Sequence, residues 1–152
     1  MDLAMLAQQC APTVAIETMV AIVAHESRQN PFAIGINGGT RLSRQPVTKA
    51  EAVGVANELL KMSISIDLGL AQINSANLAR LGLSVEQAFE PCANLRAAEV
   101  VLRGCYDAAA SRYGPGQGAL QAALSCYNTG GYARGLANGY VQNIYRVARA
   151  AP

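Results

Sequence analysis

Apolar positions recur along most of this chain at intervals of three and four residues. Ile16, Met19, Val20 and Val23 fall at i, i+3, i+4 and i+7, the spacing of one helix face. With Thr13 after Pro12 as an N-cap candidate, this predicts a helix over residues 13–27 that Pro31 ends. Thr48-Lys49-Ala50-Glu51 has the form of a capping box and opens an alanine-rich helix to Lys61. Ser84-Val85-Glu86-Gln87 repeats that form before a short helix. Leu95, Ala98, Leu102, Cys105 and Ala109 mark one face of a long helix over 93–112, which Tyr113-Gly114-Pro115-Gly116 stops. Leu120, Ala123, Leu124 and Tyr127 line a following helix, and 138–149 forms a last one. The only β signal lies between Ile34 and Leu42, where Asn37-Gly38-Gly39 marks the turn of a small hairpin or irregular β patch. The expected class is α+β, predominantly α-helical with a small β patch.

Composition narrows the function classes. The 152 residues are 51% hydrophobic and 14% charged, against about 25% charged in an average globular domain. They show no internal repeat or linker, so a single domain over 1–152 is expected. The net charge is +2, and the Lys and Arg residues stand singly, which argues against nucleic-acid binding. No apolar stretch reaches the roughly 18 residues of a membrane span. One His and four scattered Cys lack the paired spacing of a metal site. An even number of Cys fits two disulfides in an oxidising compartment or four buried thiols in a reducing one. Met-Asp-Leu-Ala has no basic n-region and Gln8-Gln9 interrupt the apolar stretch that follows. Nothing here resembles a signal peptide, and the expectation is a protein that either stays inside the cell or is already trimmed.

Glu26 stands out chemically. It follows Val23 by three, Ile22 by four and Met19 by seven residues, which places a carboxylate at the end of an apolar helix face. Desolvation there raises its pKa, as a general acid near neutrality requires; the alternative is a helix-end Glu that turns into solvent. Two further motifs follow in order: Gly69-Leu70-Ala71-Gln72-Ile73-Asn74 and Ser125-Cys126-Tyr127-Asn128-Thr129-Gly130. Together with His25-Glu26-Ser27 they resemble the catalytic domain of lytic transglycosylases with a lysozyme-like fold, over roughly residues 13–145. Pro31-Phe32-Ala33-Ile34-Gly35, Asp67-Leu68-Gly69-Leu70 and Pro91-Cys92-Ala93-Asn94-Leu95 look most like the members that accompany type IV secretion and conjugation systems. Ala71 departs from the family's usual Met, and Cys126 and Thr129 from its usual Ala.

The resemblance implies cleavage of the β-1,4 bond between N-acetylmuramic acid and N-acetylglucosamine in peptidoglycan, with closure of a 1,6-anhydro ring and no cofactor. It implies Glu26 as the catalytic acid and then base. Gln72 would hydrogen-bond the sugar, and the Tyr127 hydroxyl would lie near the carboxylate or the substrate acetamido group, with core packing as its alternative. Ser27 would orient Glu26 or the local backbone, or bond to its own helix. Asn128, like Asn74, would hold a loop beside the groove. Tyr140 and Tyr145 would border the cleft or pack in the core. His25, about 100° from Glu26 around the helix, is not expected to be catalytic. Asp67 is expected to fix the turn into Gly69 through backbone hydrogen bonds. If it instead faced Glu26, the rival would be a lysozyme-type hydrolase. A further rival is a peptidoglycan-binding assembly subunit of a secretion machine.

Such a substrate implies the periplasm, contact with glycan strands and association with type IV secretion components. It also favours disulfides among Cys10, Cys92, Cys105 and Cys126. An antiparallel helix pair folded at Gly114-Pro115-Gly116 brings Cys105 level with Cys126, although Cys126 sits about 100° from Tyr127 on its helix. Cys10 then pairs with Cys92.

Overall fold

The computed structural model describes residues 1–150, so the last two positions of the expected 1–152 domain lie outside the described residues. Its central element is α2 (Ile16–Ser27), against which α1 (Leu3–Cys10) and α9 (Tyr140–Ala150) pack. Met19, Ile22 and Val23 are completely buried, as their shared helix face requires. The helix starts later than expected, because the Thr13 amide and hydroxyl both donate to the Glu99 carboxylate on α6 (Pro91–Tyr113). Thr13 thus makes a long-range contact and caps nothing; Ala15 occupies the N-cap position. At the far end Arg28 and Gln29 adopt left-handed backbone, φ 53° and 65°, which stops α2 before Pro31 is reached. The sequence pattern did not predict α1. Asp2 caps it by accepting from the Met5 amide at 3.1 Å, and Leu3, Ala7 and Cys10 are its buried face.

The capping signals forecast two other helices. The Thr48 hydroxyl accepts from the Glu51 amide at 3.1 Å at the start of α3 (Lys49–Lys61). The Glu51 carboxylate does not close the box, turning instead to the Val47 amide and Arg44. Ser84 and Gln87 form a complete box at α5 (Val85–Ala88), after the short α4 (Leu78–Leu81). α6 and α7 (Gln117–Thr129) fold back on each other at residues 114–116, before the single turn α8 (Arg134–Ala137). Disulfides join Cys105 to Cys126 and Cys10 to Cys92, with Cα atoms 5.9 and 5.3 Å apart. No helix among the described residues is long and apolar enough to cross a membrane.

The expected hairpin across Asn37-Gly38-Gly39 does not form. β1 (Ile34–Ile36) leads into an irregular loop and pairs instead with β2 (Ile66–Leu68), which pairs with β3 (Ile73–Asn74); the sheet is antiparallel in the order β1-β2-β3. Gly35 faces Asp67, and Asp67 faces Asn74. This register puts the Asp67 and Asn74 side chains on one face of the sheet. The sheet and the C-terminal end of α2 together form the walls of a cleft.

Candidate active site

Glu26 lies at the junction of two lobes of that cleft. The larger, about 670 Å³, runs past His25, Arg28, Arg41 and Gln45; the smaller, about 330 Å³, is walled by Asp67, Asn74, Tyr127 and Asn128. Among the described residues, only Glu26 and Gln72 line both lobes. The position of Glu26 follows from its helix: Ile22 and Val23, one turn earlier, are fully buried, so the carboxylate on the same side is withdrawn from water. Burial raises its pKa to about 7; the nearby Tyr140 hydroxyl opposes the rise, and the Asp67 charge adds to it. Near neutrality this group can both release and recover a proton.

Tyr140 is 3% exposed and its hydroxyl is buried without a hydrogen-bond partner. Burial first, then the Glu26 charge, keeps this phenol protonated; Tyr140 lies in the core and lines neither lobe, so its hydroxyl is a donor for the Glu26 carboxylate and does not border the cleft as one expectation had it. His25 packs edge-on to the Tyr140 ring, centroids 4.8 Å apart, and its Nδ1 bonds the Asn143 amide at 2.6 Å. Partial burial lowers the His25 pKa, and its contacts make it a support for Tyr140. Tyr145 does not border the catalytic cleft: its hydroxyl donates to Gln117 Oε1 at 2.7 Å.

Gln72 differs from a freely offered amide. Its backbone is left-handed, φ 54°, and Nε2 donates to the carbonyls of Ala33 at 3.1 Å and Gly69 at 3.0 Å. Both N–H groups are thereby used, which leaves Oε1 as the available acceptor. A Cβ on Gly35 would sit 2.6 Å from that oxygen, so any larger residue there would push the Gln72 amide out of its present position. Tyr127 Oη donates to the Ala71 carbonyl at 2.7 Å. Burial and the charges of Glu26 and Asp67 hold its pKa well above the usual tyrosine value. Tyr127 therefore fixes the loop that carries Gln72.

One expectation is corrected, and the alternatives left open for Ser27 are resolved. Asp67 makes no backbone bonds to the turn: its Oδ1 accepts from Asn74 Nδ2 at 2.8 Å and Asn37 Nδ2 at 3.5 Å. Burial raises its pKa, and these two amides resist the rise. Ser27 Oγ donates to the Val23 carbonyl at 3.2 Å, one turn back, and does not orient Glu26. Asn128 accepts from Asn138 at 2.9 Å at the rim of the smaller lobe. Asn74 also caps the following turn, accepting from the Ala76 amide at 2.9 Å.

Asn94, which no sequence motif marks for a role, is 1% exposed. Its Oδ1 accepts from the Ala71 amide at 2.8 Å, and its Nδ2 donates to the carbonyls of Leu68 at 2.9 Å and Ala88 at 2.8 Å. One side chain thus satisfies three buried backbone groups of the Gln72 loop and its neighbour α5. Gly69, at φ 79°, lies so close that a Cβ would fall 2.3 Å from Asn94 Nδ2. The available signal was a polar residue beside Leu95 and one turn before Ala98 on the apolar face of α6. Ser125, fully buried, bonds the Gly131 carbonyl and the Gly135 amide, and so holds the loop after the third motif. Among the described residues no three His, Cys, Asp or Glu side chains gather to hold a metal.

Comparison with known proteins agrees with this arrangement. The family described as "Transglycosylase SLT domain" matches residues 4–144. The "Type IV secretion system protein virB1" of Brucella abortus is 47% identical over 145 residues, covering 91% of this chain and 60% of that protein. "Protein virB1" of Rhizobium radiobacter is 41% identical over 146 residues, covering 95% and 60%, and that of Agrobacterium fabrum is 40% identical over 144 residues, covering 94% and 58%. The chain therefore spans about 60% of the length of the curated relatives it matches. No solved structure matches. With the three motifs assembled on one cleft inside a matched segment that covers most of its length, the chain belongs to the transglycosylase SLT domain family, whose fold is lysozyme-like.

Proposed function

We propose that residues 1–152 form one catalytic domain of a peptidoglycan lytic transglycosylase, which works in the periplasm and opens the cell wall locally for a type IV secretion system. The glycan strand lies along the cleft with its scissile β-1,4 bond over Glu26. The observation that carries this reading is the Glu26 carboxyl, half-buried at the junction of the two lobes with a pKa of about 7. In its acid form it protonates the glycosidic oxygen as the C1–O bond breaks. As carboxylate it takes the proton of the muramyl 6-hydroxyl while that oxygen bonds to C1, closing the 1,6-anhydro ring and restoring the acid. The charge developing at C1 is met by the substrate's own 2-acetamido group. Gln72 Oε1 accepts from the sugar and the Tyr140 hydroxyl supports the Glu26 carboxylate, while Tyr127 and Asn94 hold the loop that places Gln72. The chemistry calls on no metal or cofactor.

Asp67 favours a second reading, a lysozyme-type hydrolase, because it shares the smaller lobe with Glu26 and raises its pKa. Its carboxylate is engaged by Asn74 and Asn37, which weakens it as a nucleophile. Mass spectrometry of products from purified peptidoglycan separates the two. Anhydro ends lighter by one water support the transglycosylase, and reducing ends alone support the hydrolase. No release by folded protein would overturn both.

A further inference from the structure

Charge is segregated along the cleft. The smaller lobe carries the carboxylates Glu26 and Asp67 and no cation; the larger carries two guanidinium groups, Arg28 and Arg41, with Glu26 its only carboxylate. Arg28 is placed there by the left-handed residue that ends α2, and Arg41 by the irregular loop after β1. Both are exposed. Among the described residues, neither makes a hydrogen bond, an ion pair or an aromatic contact. Every other arginine does: Arg44 pairs with Glu51, Arg103 with Asp107, and Arg134 with the Thr129 carbonyl, while Arg112 and Arg149 lie over tyrosine rings. Arg80, Arg96 and Arg146 each donate to a neighbour on their own helix or turn. The two arginines with no internal partner are the two in the cleft.

From this segregation we infer that Arg28 and Arg41 form a subsite for carboxylates of the peptide stems borne by the glycan strand, which makes the enzyme selective for peptide-substituted, anionic strands. The inference rests on the proposed peptidoglycan substrate. A planar guanidinium matches a carboxylate through two parallel N–H donors. Two of them on one lobe concentrate that attraction on one side of Glu26, away from Asp67.

The test uses soluble, uncrosslinked peptidoglycan chains, either with free stem carboxylates or with those carboxylates converted to primary amides. Wild-type protein should cleave the free-carboxylate chains with a kcat/KM on the order of tenfold higher, the scale of two solvent-exposed ion pairs. Added salt should compress this preference, because screening acts over about 8 Å at physiological ionic strength. Arg28→Gln combined with Arg41→Gln should bring the ratio of the two rates to about one, and the corresponding Lys pair should restore part of it. Equal cleavage of both chains by wild type, or an unchanged ratio in the double Gln variant, would overturn the subsite and leave the proposed activity standing. Failure of folded wild type to cleave either chain would overturn the activity itself.

Discussion

The Tyr127 hydroxyl reaches 56 residues back along the chain to donate to the Ala71 carbonyl at 2.7 Å. This bond joins the third sequence motif to the second. The loop in front of Glu26 is clamped on one side by Tyr127 and on the other by Asn94. The Gln72 position is therefore set by contacts from α6 and α7, neither of which carries the acid.

Glu26→Gln keeps size and hydrogen bonding but cannot carry the proton. It should lose at least about 10²-fold in rate, toward the 10⁴-fold upper range for general acid–base groups, with glycan binding retained. Asp67→Asn should lose far less. Steady-state rates on the same substrate decide the matter; equal inactivation with both folds intact would sink the single-carboxylate mechanism.

The acid also leaves a mark on stability. Its pKa is raised from 4.5 to about 7 on folding, so as pH rises the unfolded chain releases this proton first. Stability then falls between about pH 4.5 and 7 and levels off above, by up to about 3 kcal/mol. Glu26→Gln removes the titration. Urea unfolding should show the variant more stable than its parent at about pH 8 and nearly equal at about pH 4; equal stability at both would show that the carboxyl is not desolvated.

Tyr140→Phe removes a hydroxyl that favours the charged form of Glu26. The Glu26 pKa should rise further, and the alkaline limb of the rate profile should move to higher pH. A limb that stays in place or moves toward acid would show that Tyr140 does not act on the carboxyl.

Asn94→Ala strands three buried backbone groups at once. We expect a loss of about 3–5 kcal/mol, read as a lower urea midpoint, with any residual activity showing a raised KM as Gln72 loses its support. A loss below about 1 kcal/mol, the scale of an ordinary surface change, would mean the three bonds are not made together.

The helices were legible because their apolar positions repeat over successive turns, as Leu95, Ala98, Leu102, Cys105 and Ala109 do, and because Thr48 and Ser84 mark helix starts. The sheet was not. Strands of two or three residues are too short to show a period of two, and Asn37-Gly38-Gly39, a good hairpin turn, opens a loop because β1 finds its partner only at Ile66–Leu68. Glu26 was legible from its helix face. The bonds of Ser27, Asp67 and Gln72 were not, since each depends on which backbone or amide group the fold delivers to it. Thr13 shows the same limit, because nothing near it in sequence marks Glu99 as its partner.

The Cys10–Cys92 bond closes a covalent ring, its two cysteines 82 residues apart in sequence, and that ring contains Glu26, Gln72 and the whole sheet. A protease cut at the exposed stretch around Gly38, Gly39 and Thr40 therefore does not release a fragment. Both pieces stay tethered, run as one band on a non-reducing gel, and separate into two only after thiol treatment. The acid and the amide acceptor on opposite sides of such a cut remain parts of one molecule, so nicking by itself cannot disperse the catalytic groups.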